Sequence, residues 1–304
     1  MRRALLLLCF VVVPAAGMAQ KVYGPLAVQL PLGARSLAMG GAGAGARDAE
    51  GALGNPALAG ASTVASVAVG RYQGGARARL VGTTSSVGVI GVGVAVSYLD
   101  YGLPGSPFSV PYAGQPTLVH TGFATAASLA GAFSLSAAFK GMRWGAAATY
   151  LEERSDTQRA AVAGVNLGVA KDGLLPNMTL GVTLQNLGPS LRFGDTHVDL
   201  PTRLVAGVSG AQLPLNAWFD FTASGDLGVR RDGRVMAALG GELTWVPIEG
   251  IALALRTGVR RAELAAQRPV TAGAGLTFDR FSVDYAWEQM QVGGAHRLGL
   301  RVGR

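Results

Sequence analysis

Seven charged residues in the last third of the chain stand at spacings that could do chemistry together. Arg256 and Arg260, Asp284 and Glu288, and Arg297 and Arg301 each lie four apart, and Glu242 precedes them. In an extended strand, residues an even number apart share a face, so each pair would point the same way. Two chemistries suit such a wall. The arginines could hold an anionic head group, such as a carboxylate, by bidentate hydrogen bonds while apolar residues nearby take its tail. Alternatively, the seven could pair across strands as ions that brace the wall and fasten whatever lies against it. The sequence leaves both open.

Other chemistries find little support. Gly40 to Gly45 is glycine-rich enough to suggest a phosphate loop. No strand precedes it, however, and no helix-then-strand unit with a ribose-binding acid follows. Flexible packing is the simpler use of Gly40 and Gly41. His120, His197 and His296 are far apart and none has a second ligand at metal spacing. There is no Gly-x-Ser-x-Gly elbow. We therefore expect no catalytic residue, no metal and no cofactor. A lipid-modifying enzyme would have to assemble its Ser/His/acid set from distant segments. Asn177-Met178-Thr179 matches a glycosylation acceptor only formally.

The elements that must position the seven are strands. Phe281, Val283, Tyr285 and Trp287 alternate with Ser282, Asp284, Ala286 and Glu288. Val235, Ala237, Leu239, Leu243 and Trp245 alternate with Met236, Gly240, Glu242 and Thr244, and Ile90 to Tyr98, Met178 to Gln185 and Val270 to Phe278 behave alike. A helix would scatter these residues over both faces. The face opposite the apolar one is Gly, Ala, Ser and Thr with scattered charge, which suits a crowded or wet lumen with the apolar face turned to lipid. Tyr98, Tyr150, Trp245 and Trp287, each at one end of a strand, would form an interfacial girdle.

We count about fourteen such strands, near 63–73, 76–86, 88–99, 133–140, 142–152, 158–170, 177–187, 201–211, 214–223, 234–246, 251–260, 270–278, 281–288 and 295–303. The fold class is all-β, a membrane barrel of antiparallel strands. Lys140-Gly141 and Asp279-Arg280 read as hairpin turns, and Asp100 to about Leu118 as the long outer loop.

Composition agrees. Glycine makes up 45 of 304 residues, charged residues only 14%, and mean hydropathy is +0.33. Basic residues number 26 against 18 acidic, but the excess is spread out and nearly all arginine, without a basic cluster interleaved with aromatics, so nucleic acid is not an expected partner. Met1-Arg2-Arg3 followed by an apolar run and Gly17-Met18-Ala19 reads as a signal peptide over residues 1–19. The only cysteine, Cys9, lies within it, leaving no thiol in the mature chain. Residues 20–61 do not alternate and are rich in small residues that pack in a confined lumen. We expect a plug over 20–61 and the barrel over 62–304.

The chain resembles the outer-membrane transport family that includes the long-chain fatty-acid transporter FadL, and within it the PorV/PorQ-like branch. The residues that carry the resemblance are Gly33-Ala34-Arg35-Ser36-Leu37-Ala38-Met39-Gly40-Gly41-Ala42 and Asn55-Pro56-Ala57-Leu58. Later come Gln185-Asn186-Leu187-Gly188, Leu200-Pro201-Thr202-Arg203-Leu204, Asp284-Tyr285-Ala286-Trp287 and His296-Arg297-Leu298-Gly299-Leu300. The resemblance spans essentially the whole mature chain. It implies a fourteen-stranded barrel in a bacterial outer membrane, plugged by an N-terminal hatch that includes Gly40, Gly41, Asn55 and Pro56. In the transporters hydrophobic or amphiphilic substrates pass a gated plug; PorV-like members instead look like docking proteins of a secretion apparatus. The partners implied are outer-membrane lipid, a hydrophobic or anionic amphiphile, and, on the docking reading, secretion-system proteins.

Overall fold

Alternation of apolar and small polar residues produces strands wherever two unlike environments flank the sheet. The computed structural model describes residues 23–102, 126–155, 158–173, 177–210, 213–264, 267–291 and 293–303. The expected signal peptide and nearly all of the long loop lie outside these residues.

The strands are Val64–Arg71 (β1), Arg77–Val87 (β2), Ile90–Asp100 (β3), Ala127–Phe139 (β4), Met142–Ser155 (β5), Gln158–Asp172 (β6), Met178–Leu187 (β7), Arg203–Gly210 (β8), Phe219–Arg230 (β9), Val235–Ile248 (β10), Ile251–Arg260 (β11), Gln267–Phe278 (β12), Phe281–Met290 (β13) and Gly294–Gly303 (β14). Each pairs antiparallel with its sequence neighbour, and β14 closes onto β1 with Val64 opposite Gly303. The result is a closed barrel of fourteen strands without a free edge. Leu213–Pro214 adds a short pairing to β9. The sequence reading did not anticipate the separate hairpin of Leu191–Phe193 with Thr196–Val198.

Two strands begin furthest from where they are expected. β4 starts at Ala127 instead of 133, because Ala127 to Ala132 carries small residues on both faces and hides the alternation. β9 runs Phe219–Arg230, not 214–223. Asn216 accepts hydrogen bonds from the backbone N–H of Trp218 and Phe219 and turns the chain just before the strand.

The barrel is inside out relative to a soluble protein. Leu255 is 67% exposed on the outer wall, while its neighbour Arg256 is 6% exposed in the lumen. The aromatics fall at both ends of the wall, not one. Tyr98, Tyr150 and Trp287 lie toward the end that carries the long connections, and Trp245 lies toward the end that holds Val64 and Gly303. That second end is closed by tight turns, where Lys140 and Gly141 take φ of 50° and 73°. Outer-membrane barrels usually carry their short turns on the periplasmic side.

Residues 23–61 pack inside the barrel as short helical turns joined by bends. Leu26–Val28 lies against β3 and β4, Ala34–Ala38 against β11 to β14, Ala49–Ala52 against β2 and β3, and Pro56–Leu58 against β4 to β6.

Candidate functional site

Four of the seven lumen charges, Glu242, Arg256, Asp284 and Arg301, form one alternating chain. Glu242 on β10 stands directly opposite Arg256 on β11, and Arg256 Nε donates to Glu242. Arg256 also donates to Asp284 Oδ1 at 2.6 Å, and Arg301 Nε donates to Asp284 Oδ2 at 2.6 Å. Arg256 reaches Asp284 over β12 because Gly275 stands there; a Cβ at Gly275 would come within 2.7 Å of the guanidinium. On the other side Arg35 of the internal segment donates twice to Glu242, at 3.1 Å each, and to Asp48 at 3.3 Å. Arg260 pairs separately with Glu288.

Each of the seven residues singled out from sequence therefore has a protein partner. Arg297 is the exception in kind, since it meets no carboxylate. It donates to the carbonyls of Pro31 and Leu32, the latter at 2.7 Å, and to the Tyr72 hydroxyl at 2.7 Å. The geometry is that of ions bracing the wall and gripping the segment. Burial opposes the charge on Arg35, but Glu242 and Asp48 outweigh it and raise its pKa.

Gly40 and Gly41 end the short helix Ala34–Ala38. Gly40, with φ of 72°, donates to Leu37 O at 3.1 Å, and Gly41 donates to Ser36 O at 2.8 Å. This is the Schellman pattern, which needs a left-handed residue just past the cap. The turn sits so close to the wall that a Cβ on Gly258 would lie 2.1 Å from Gly40 N.

Asn55 and Pro56 seat the segment on the opposite wall. Asn55 Nδ2 donates to Ala44 O at 2.8 Å, and its Oδ1 accepts from Ala57 N at 3.1 Å, capping the turn that starts with Pro56. Gln185 and Thr183 on β7 both donate to Gly54 O at 3.1 Å, and Asn166 on β6 donates to Leu53 O at 3.2 Å. Asn186, at φ of 57° in a bulge of β7 against β6, accepts through its carbonyl from Thr202 and donates to Pro201 O. Three of the sequence stretches that carry the family resemblance thus meet at one knot of amides.

Several of these residues escaped the sequence reading. Tyr72, Asn166 and Asp226 carried no signal on their own. Asp226 Oδ2 accepts from Gly43 N and Ala44 N at 2.7 and 3.0 Å. Arg35, noted only within the glycine-rich stretch, closes the charge chain.

Between the segment and the wall of β7 to β11 lies a cavity of about 150 Å³, lined by Leu30, Leu53, Met236 and Ala238 together with Arg203, Asp226 and others. A wholly apolar cavity of about that volume admits a benzene ring. Of the three histidines, His296 receives or gives a hydrogen bond with the Tyr285 hydroxyl on the outer wall at 2.7 Å, His197 stands in the small hairpin, and His120 lies outside the described residues. Among the described residues no cluster of three His, Cys, Asp or Glu could hold a metal ion.

No family model and no curated protein matches the chain. Solved structures do. The monoaromatic hydrocarbon channel CymD is 13% identical, with 90% of this chain covering 96% of that one at a TM-score of 0.59. The Pseudomonas putida toluene transporter TodX is 12% identical over 93% of this chain and 98% of its own, at a TM-score of 0.56. At such identities the likeness is one of fold, and this chain has the fold of those hydrocarbon channels.

Proposed function

We propose that the protein is a non-catalytic outer-membrane conduit through which small hydrophobic or amphiphilic molecules pass without an energy source of its own. The observation that carries this reading is the partly apolar cavity between the internal segment and the wall, in a barrel that shares its fold with two hydrocarbon channels. Passage would require the segment to shift, since its turns touch strands on every side of the lumen. The charge chain sets how far it shifts.

The mixed lining suits an amphiphile better than a plain hydrocarbon: Arg203 and Asp226 offer polar ends beside Leu30, Leu53 and Met236. Arg203 also donates to Gln185 Oε1 at 2.6 Å and to Val28 O at 3.1 Å, so a carboxylate entering there would compete with protein acceptors.

A second reading, a PorV-like docking protein whose barrel is an anchor, draws support from how firmly the lumen is filled: Arg35 with Glu242 and Arg297 with Pro31 and Leu32 tie the segment to opposite parts of the chain. Heat-modifiable gel mobility of the purified protein followed by native mass spectrometry separates the two. A heat-shifted barrel that carries a fatty acid or similar amphiphile supports the conduit; an empty barrel that elutes with a large protein supports docking.

A further inference from the structure

The outer wall of the barrel carries a second concentration of charge, unrelated to the lumen. Arg71 on β1, Arg77 and Arg79 on β2 and His296 on β14 all point outward and are exposed. They sit on three adjacent strands at the end with the long connections. Arg71 stands directly opposite Arg77 on one side and His296 on the other. Like charges placed opposite each other in a sheet are destabilising unless something neutralises them.

Among the described residues no ion pair does so. None of the three arginines forms an ion pair among the described residues; Arg79 only lies over the Tyr98 ring at 6.0 Å. Asp100, opposite Arg77, uses Oδ1 to accept from Gly102 N. Elsewhere on the same wall the chain handles this problem differently. Arg154 and Arg159 are also cross-strand partners, but Glu152 lies between them and bonds both. Among the described residues no carboxylate pairs with Arg71 or Arg77, and the nearest in register, Asp100, flanks Arg77 on the side away from Arg71.

The groove between them has a volume of about 340 Å³ and is lined by Arg71, Arg77, Tyr285 and His296, with Val69 and Leu298 on the side toward the lipid-facing belt. Tyr285 engages His296 Nδ1 at 2.7 Å, and both residues line the groove. Guanidinium groups above, aliphatic wall below, is the arrangement that fits a lipid whose head carries phosphate and whose chains run down the barrel.

We propose that this face of β14, β1 and β2 binds the phosphorylated headgroup of a glycolipid in the outward-facing leaflet. The inference rests on the outer-membrane reading and not on what crosses the lumen. The phosphates supply the missing counter-charge between Arg71 and Arg77, and the acyl chains lie along Val69, Val81 and Leu298.

The test is native mass spectrometry of the full mature barrel, taken from phosphatidylcholine nanodiscs doped with bisphosphorylated lipid A. The wild type is compared with R71Q/R77Q/R79Q and with K140Q/R280Q, which removes charge from the opposite end. Loss of three surface arginines at roughly 1 kcal/mol each corresponds to weaker retention on the order of a hundredfold. The proposal expects that loss in the triple variant, little change in K140Q/R280Q, and weaker retention as salt rises. Equal retention by the triple variant, or equal retention of dephosphorylated lipid A, overturns it. Heat-modifiable mobility run on each sample reports separately on the barrel, so failure of the fold reading is distinguishable from failure of the site.

Discussion

Arg35 and Glu242 lie 207 positions apart and are joined by two guanidinium–carboxylate hydrogen bonds of 3.1 Å. One belongs to the segment inside the barrel and the other to its wall, so this pair is one of the ties that fix the segment in the barrel. Stripping a buried charge bare costs about 3–5 kcal/mol, but Glu242 keeps Arg256 when Arg35 is removed, so the loss here falls below that. Arg35→Ala should therefore loosen residues 33–48. Amide hydrogen exchange checks this: protection there should fall by about tenfold while the strands keep theirs.

Arg256 separates the two chemistries available to the lumen arginines. It is held between Glu242 and Asp284, so Arg256→Ala should lower the temperature at which the barrel loses its folded gel mobility. Uptake of an anionic amphiphile such as dodecanoate should persist. Loss of that uptake with unchanged heat resistance would instead assign Arg256 to the ligand.

The hold on the segment should weaken as pH rises. Burial, and then the neighbouring charge of Asp48, push the Glu50 carboxyl up to about 7, with Arg301 and Arg35 pulling the other way. A carboxyl whose pKa is higher folded than unfolded contributes stability that is complete below its unfolded value near 4.5 and is lost as pH passes through about 7. Hydrogen exchange of residues 44–54, corrected for intrinsic rate, should show falling protection between pH 5 and 8. Glu50→Gln should flatten that slope; an unchanged slope in the variant would place the titrating group elsewhere.

Gly258→Ala should displace the Gly40 turn, because the new Cβ would meet backbone 2.1 Å away that cannot give way without moving the segment. Overpacking of this kind costs about 1–3 kcal/mol. Differential scanning of heat resistance should show the loss, and limited proteolysis should cut near Gly40 to Gly45 in the variant first.

Much of this architecture is legible in the residues. Ile90 to Tyr98 and Phe281 to Glu288 state both faces of their strands, because lipid and lumen demand different side chains at alternate positions. The pattern fades where both environments accept small residues, as from Ala127 to Ala132, and where Asn216 turns the chain just before Phe219. The lumen site is half legible. Alternation places Glu242, Arg256 and Asp284 on the inner wall, but their partners depend on register and on Gly275 opening a path across β12. The part played by Arg35 depends on how the internal segment folds back, which no local pattern encodes. Asn55 and Asn186 stand in recognisable stretches, yet only the closed barrel brings them to one knot.

The central claim is that molecules pass between the internal segment and the wall of β7 to β11. Ala238 lines that space opposite Arg260, and Ala238→Phe should fill it while leaving Arg35, Glu242, Arg256 and Asp284 in place. The direct measurement is uptake of labelled toluene and dodecanoate by cells whose outer membrane carries either the wild type or Ala238→Phe, at equal amounts of heat-modifiable barrel. The conduit account expects at least a tenfold drop in protein-dependent uptake for the variant, with wild-type uptake insensitive to collapse of the proton gradient. Uptake that is the same with wild type, variant or no protein would contradict it and leave docking as the function of the barrel.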